Sequence, residues 1–221
     1  MNQEADLIMK QTPFITVEGP IGVGKTTLSK AISEHFQYNI LREIVDENPF
    51  LGKFYDDIDE WSFQTEMFFL CNRYKQLEDI EKKYLSKQAP VVADYHIFKN
   101  LIFAQRSLKS TQYEKYLDIF NILTQDMPVP NMVIYLNASL DTLLNRIQKR
   151  GREIEKNISP LYLEQLTIDY QKFMEQFIQK HPEVTVLQFN GDEMDFVKNK
   201  QDLQTIIGQI EDQLSKGVKQ T

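Results

Sequence analysis

Cysteine is almost absent: Cys71 stands alone, so no internal disulfide can form, and this usage suits a reducing cytoplasm. No stretch approaches the roughly 20 apolar residues of a membrane-spanning helix. The first residues carry Glu4 and Asp6 and lack an apolar core of about seven residues, so they read as neither signal peptide nor anchor. Excess positive charge is missing too. The 25 Lys and Arg against 32 Asp and Glu give a net charge of −7, with no long basic run. That argues against a nucleic-acid polymer as partner and for a small substrate with a metal ion. Repeats and low-complexity segments are also lacking. What remains in 221 residues is one domain of ordinary size, expected over 13–217, with frayed ends at 1–12 and after Gly217.

What is present starts with a glycine-rich loop. Gly19-Pro20-Ile21-Gly22-Val23-Gly24-Lys25-Thr26 fits G-x-x-x-x-G-K-[ST]. It follows the apolar run Phe14–Glu18 and leads through Thr27 into a helical pattern, the context the motif requires. Glycines let backbone N–H groups turn inward around phosphate oxygens, and the helix N-terminus adds partial positive charge. Lys25 can reach the β/γ-phosphates, and the Thr26 hydroxyl can hold Mg²⁺. The motif therefore points to a bound nucleoside triphosphate.

Apolar β-rich runs recur at Phe14–Glu18, Val91–Asp94, Met132–Asn137 and Val184–Phe189, with a weaker one at Asn39–Glu43. Helical patterns at Lys25–Phe36, Glu60–Leu85, Tyr113–Gln125, Leu140–Lys149, Leu161–Gln179 and Asp202–Leu214 lie between and after them. This alternation predicts an α/β fold, a five-stranded parallel sheet flanked by helices. Unbroken apolarity in Val133-Ile134-Tyr135-Leu136 predicts burial on both faces. Ligands of such sheets sit at the carboxyl ends of the strands. Glu43 and Asp94 stand at two such ends. A phosphoryl transfer to a hydroxyl needs one carboxylate for the hydroxyl proton and often a second near Mg²⁺, although turn residues and helix caps look the same in sequence.

Arg146, Arg150 and Arg152 crowd the end of the Leu140 helix, and Gly151 breaks it. Arg146 and Arg150 share a face. Guanidinium groups on a segment that closes over a triphosphate stabilise the transferring charge and exclude water; the plainer alternative is charge satisfying a helix C-terminus.

Together the loop, Glu43, Tyr55, Trp61-Ser62-Phe63, Arg73, Asp94 and Arg146-x-x-x-Arg150-Gly-Arg152-x-x-Glu155 resemble the deoxynucleoside kinases, over about residues 13–200. Asn48-Pro49-Phe50-Leu51 and Lys53-Phe54-Tyr55 are most similar to bacterial members of the deoxyguanosine kinase type. The resemblance implies a P-loop kinase fold with an arginine-rich lid. It also implies transfer of the ATP γ-phosphate to a deoxynucleoside 5′-hydroxyl with Mg²⁺, in a cytoplasmic homodimer. By the same resemblance Glu43 is the general base, Tyr55 and Glu155 hold the sugar 3′-hydroxyl, Arg73 lies in the base pocket, and Asp94 lies near Mg²⁺. Arg146, Arg150 and Arg152 are then the lid arginines.

Two departures stand out. Relatives carry Asp/Glu-Arg-Ser after the third strand, whereas this chain has Asp94-Tyr95-His96, so a cation is missing and His96 reads as a structural histidine at a helix start. Relatives also carry glutamine seven residues before Arg73, where this chain has Glu66. An ionised carboxylate only accepts and a guanidinium only donates, so a Glu66/Arg73 pair matches both edges of guanine. Adenine and cytosine offer mixed edges that an amide suits better, and a buried mismatch costs about 1–3 kcal/mol. Asn100 falls where relatives often have a base-contacting Asp. A deoxyadenosine or deoxycytidine kinase, a nucleoside monophosphate kinase and a nucleotide-switch NTPase are the alternatives. Met67-Phe68-Phe69-Leu70 offers apolar surface for a partner helix.

Overall fold

The computed structural model describes residues 12–45 and 47–216. The ends expected to be frayed, 1–12 and after Gly217, lie outside the described residues except for Thr12. Thr12 is tied in place, its carbonyl accepting from Asn131 Nδ2 at 2.8 Å. Asn131 also accepts from the Phe14 amide at 3.0 Å, fixing where the first strand starts.

Five parallel strands form one sheet in the order β2-β3-β1-β4-β5: β1 Phe14–Glu18, β2 Asn39–Leu41, β3 Val91–Ala93, β4 Met132–Asn137 and β5 Thr185–Asn190. β1 and β4 pair in the centre, Ile15 opposite Met132 and Val17 opposite Ile134. Their near-continuous apolarity is matched by near-complete burial, as both faces are covered by helices. Helices α1 (Lys25–Phe36), α2 (Leu51–Asp56), α3 (Ile58–Lys83), α4 (Lys99–Ser107), α5 (Ser110–Thr124), α6 (Leu140–Arg150), α7 (Pro160–Lys180) and α8 (Lys200–Ser215) complete the architecture. Local chemistry sets several ends. Asp57 caps α3 by accepting from the Glu60 amide, Ser139 caps α6, and Gly151 ends α6 with φ 66°.

Sequence and structure differ in ways that matter for function. β2 stops at Leu41 and β3 at Ala93, so Glu43 and Asp94 stand just beyond their strands rather than in them. The long helix runs two residues earlier than expected at each end. α2 and α4 were not foreseen. In α4 the inward residues include Lys99, Asn100 and Ser107, so the helix buries polar side chains and carries no clean apolar stripe. Of the Met67–Leu70 run, Phe69 and Leu70 belong to the core and are not available to a partner.

Candidate active site

A cavity of about 790 Å³ opens at the carboxyl edge of the sheet. Its donor end is the phosphate loop. Gly24 has φ 109°, a left-handed backbone, and a Cβ there would stand 2.9 Å from the Phe196 ring. A Cβ on Gly19 would stand 2.2 Å from the Leu136 carbonyl oxygen. These glycines are therefore demanded by space as well as by dihedral angle. Lys25 Nζ donates to the carbonyls of Gly19 (2.7 Å) and Pro20 (2.8 Å). Burial, then the Lys99 ammonium, push the Lys25 amine well below its ordinary value. Gly22, Thr26 and Thr27 line the same end.

One carboxylate joins the two ends. Asp94 Oδ2 accepts from the Thr26 hydroxyl at 2.6 Å, and Oδ1 accepts from the Glu43 amide at 2.7 Å. Glu43 itself is gripped by two cations. Lys99 Nζ donates to both its oxygens, at 2.9 and 2.8 Å, and Arg73 forms a close ion pair with it. Burial would push the Glu43 carboxyl up, but Lys99 and Arg73 override it and hold it well below the usual carboxylate range. Glu43 is thus ionised at any working pH.

Arg73 differs from the expectation in its partner: its ion pair is with Glu43, and it acts on Glu66 only as a nearby charge. Its other terminal nitrogen donates to Asn100 Oδ1 at 2.5 Å, and Asn100 Nδ2 donates to the Tyr116 hydroxyl at 2.8 Å. Asn100, expected to contact the base, is fully buried behind the cavity lining, where it holds Arg73. Residues Glu66 and Arg73 share a helical face as expected, yet the Asn100–Tyr116 brace turns the guanidinium toward Glu43.

Glu66 lines the cavity and is 2 % exposed. Oε1 meets the Ser107 hydroxyl at 3.2 Å, and Oε2 has no hydrogen-bond partner among the described residues. Burial raises its carboxyl to about 7, only partly offset by Arg73 and Ser107. Tyr55 lines the same wall, its ring edge-on to Phe54 and Tyr162. Glu155 faces it, held by Arg150 at 2.5 Å and approached by Arg152 at 3.6 Å.

The three arginines of 146–152 separate in role. Arg150 and Arg152 converge on Glu155. Arg146 instead donates to the Val23 carbonyl at 2.9 Å and to the Gly191 carbonyl at 2.8 Å. It fastens the phosphate loop to the exit of β5, whereas the resemblance places it with Arg150 and Arg152 among the lid arginines.

Two residues escaped the sequence reading. Lys99 supplies the cation that Tyr95-His96 lack, reaching Glu43 because α4 begins at that residue. Glu18, the last residue of β1, is fully buried, with Oε1 accepting from the His96 amide at 2.5 Å. A carboxylate closing an apolar buried strand was the available signal for it. Burial pushes Glu18 up, and Lys99 is the chief opposing charge. His96 is structural, as favoured from sequence. Its Nε2 donates to the Pro128 carbonyl at 3.0 Å, and burial lowers it to about 4, so it stays neutral.

A family model described as Deoxynucleoside kinase matches residues 15–215. The chain is 54 % identical over 204 residues to a deoxyguanosine kinase of Bacillus subtilis, covering 92 % of this chain and 99 % of that one. It is 31 % identical over 201 residues to a deoxyadenosine/deoxycytidine kinase of the same organism, covering 89 % and 91 %. The structure of a deoxyadenosine kinase from M. mycoides with bound dATP superposes with TM-score 0.78 at 27 % identity, covering 90 % of this chain and 99 % of that one. Among the described residues no helix is long and apolar enough to cross a membrane.

Proposed function

Because the chain belongs to the deoxynucleoside kinase family, we propose that it transfers the γ-phosphoryl group of ATP to the 5′-hydroxyl of deoxyguanosine. The observation that carries the choice of base is Glu66. Its Oε2 is a buried acceptor without a partner, in the wall of the cavity that the phosphate loop and Glu43 share. Guanine presents a ring N1–H beside an exocyclic amine, donors that such an oxygen accepts.

The phosphate loop and the start of α1 cradle the triphosphate, and its charge offsets the burial cost of the Lys25 ammonium. Thr26 and Asp94 would hold Mg²⁺. No group of three or more His, Cys, Asp or Glu suited to a metal exists among the described residues, and Mg²⁺ bound through one carboxylate, a hydroxyl and phosphates fits that donor set. Bound there, the ion would neutralise the developing phosphate charge. Glu43 orients the 5′-hydroxyl and takes its proton. A carboxylate held so low is a weak base, which suits a loose phosphoryl transfer in which the hydroxyl gives up its proton late. Tyr55 and Glu155 bind the sugar hydroxyl, and Arg150 and Arg152 close over the transferring group. Leu161 and Ile168, exposed on one face of α7, are apolar surface that a second copy would cover in a homodimer. The single cysteine supports a cytoplasmic setting.

The test is ADP release by the full chain with Mg-ATP and each of the four deoxynucleosides. ADP formation that depends on nucleoside, with the highest kcat/KM for deoxyguanosine, is the expected result. Release without nucleoside, or a preference for a nucleoside monophosphate, overturns the reading.

A further inference from the structure

We propose that Glu66 selects the acceptor base by its own protonation: ionised, it admits only a base whose facing ring nitrogen carries hydrogen, and protonated, it also admits adenine and cytosine deoxynucleosides. This deepens the guanine reading above and rests on it.

The first argument is where the cations are committed. Arg73 and Lys99 are the charged groups near Glu66, and both are hydrogen-bonded to Glu43. Around Glu66 stand Arg73 of its own helix α3, Tyr55 of α2, Lys99 and Ser107 of α4, Tyr116 of α5 and Tyr162 of α7. Burial raises all three tyrosines above their ordinary value, so they remain neutral near pH 7. Among the described residues no cation is left to Glu66 as its own partner, and the Ser107 hydroxyl is the side chain that hydrogen-bonds it.

The second argument counts protons. The Ser107 hydroxyl has one hydrogen and lies near two oxygens, the Phe103 carbonyl at 2.9 Å and Glu66 Oε1 at 3.2 Å. Both contacts are hydrogen bonds at once only when Glu66 carries a proton and donates it to Ser107. Ionised, Glu66 competes with the carbonyl for that hydrogen. Ser107 therefore offers a partner to either protonation state, as acceptor to a proton on Oε1 or as donor to an unprotonated Oε1, and burial displaces the carboxyl to about 7.

The third argument is the free oxygen. Oε2 without a proton accepts from the N1–H of guanine. With the proton on Oε2 it donates to the bare N1 of adenine or N3 of cytosine, while Oε1 accepts from Ser107 or the exocyclic amine. One proton on one buried atom thus inverts the edge that is read. Guanine remains acceptable to the neutral acid, because a carbonyl Oε2 also accepts.

The experiment measures kcat/KM for deoxyadenosine and deoxyguanosine from pH 6 to 8 and takes their ratio, in which titrations of Lys25 and Glu18 cancel. For a group near 7 the protonated fraction falls about tenfold across this range, so the deoxyadenosine-to-deoxyguanosine ratio falls about tenfold. In Glu66→Gln the ratio is flat and no lower than the parent value at pH 6. Calorimetry at pH 7.5 in buffers of different ionisation enthalpy registers proton uptake with deoxyadenosine and none with deoxyguanosine, and needs no variant. A flat parent ratio, a slope that survives in Glu66→Gln, or equal proton uptake by both nucleosides overturns the proposal while leaving the guanine reading intact. Failure of deoxyguanosine as a substrate at every pH overturns both.

Discussion

Replacing Lys99 with methionine removes one of the two cations on Glu43 while keeping the volume and the apolar stem. The lysine and carboxylate side chains are 6 % and 10 % exposed, and the ammonium touches both oxygens within 2.9 Å. At an effective dielectric of about 20 that contact is worth roughly 6 kcal/mol of Coulomb attraction before desolvation is subtracted. Breaking such a pair by deleting one partner costs about 3–5 kcal/mol, because the surviving charge stays buried. Arg73 remains on Glu43, which places the expected loss at the lower end, about 3 kcal/mol at pH 7. The sign with pH follows from Glu43, whose folded carboxyl is held below its ordinary 4.5. Its stabilisation is present above the unfolded value and is lost as pH falls through the folded one, so the gap between parent and Lys99→Met is full at pH 7 and narrows below 4.5. Urea unfolding followed by the fluorescence of Trp61, the sole tryptophan, measures it. The same substitution in a Glu43→Gln background should cost at least 1.5 kcal/mol less, roughly the coupling of groups in contact. The kinetic signature is a fall in kcat larger than any rise in nucleoside KM, since Lys99 acts through Glu43. A loss below about 1 kcal/mol with unchanged kcat, or equal costs in both backgrounds, refutes the assignment.

Gly24→Ala forces a side chain onto a backbone at φ 109° and against Phe196, so the KM for ATP should rise at least tenfold, on the order of 1.4 kcal/mol, while circular dichroism stays native. Asn100→Ala strips partners from Arg73 and Tyr116; a stability loss of about 1–3 kcal/mol in urea unfolding, with weakened nucleoside binding by calorimetry, is expected. Without nucleoside, Glu66→Gln should be more stable than the parent at pH 8 by up to about 3 kcal/mol, and thermal melts should close that gap as pH falls from 7 toward 4.5. A raised carboxyl penalises the folded state only where it must be ionised.

The sheet was legible because Val133-Ile134-Tyr135-Leu136 of β4 is apolar without interruption and β1 nearly so, which two covered faces explain. The phosphate loop was legible because its glycines are local requirements, set by dihedral angles and by single close approaches. The partners of Glu43 were not. Period 3.6 placed Glu66 and Arg73 on one face of α3, correctly, but face-sharing cannot say which carboxylate the guanidinium chooses. That choice is made by Asn100 and Tyr116, whose contact with Arg73 spans elements far apart in sequence. Lys99 was hidden for a related reason. In the segment after Asp94 the apolar residues Ile97 and Phe98 precede a buried lysine, and a buried lysine in sequence looks like an exposed one until its counter-charge is known.

The arrangement separates chemistry from selection at a single point. Asp94 fixes the donor end to the acceptor end through two short contacts, one to the Thr26 hydroxyl and one to the Glu43 amide. A change of base therefore has no reason to disturb the line from phosphate to hydroxyl. The available cations follow the same division. Arg73 and Lys99 are committed to Glu43, the carboxylate proposed to take the hydroxyl proton, leaving Glu66, the one proposed to meet the base, with a lone hydroxyl among the described residues. Placing either cation on Glu66 would fix it as an acceptor and harden the preference for guanine, at the expense of Glu43. Because both carboxylates draw on the same two cations, a tighter grip on the reacting end leaves the reading end freer to change its proton, and with it the base it accepts.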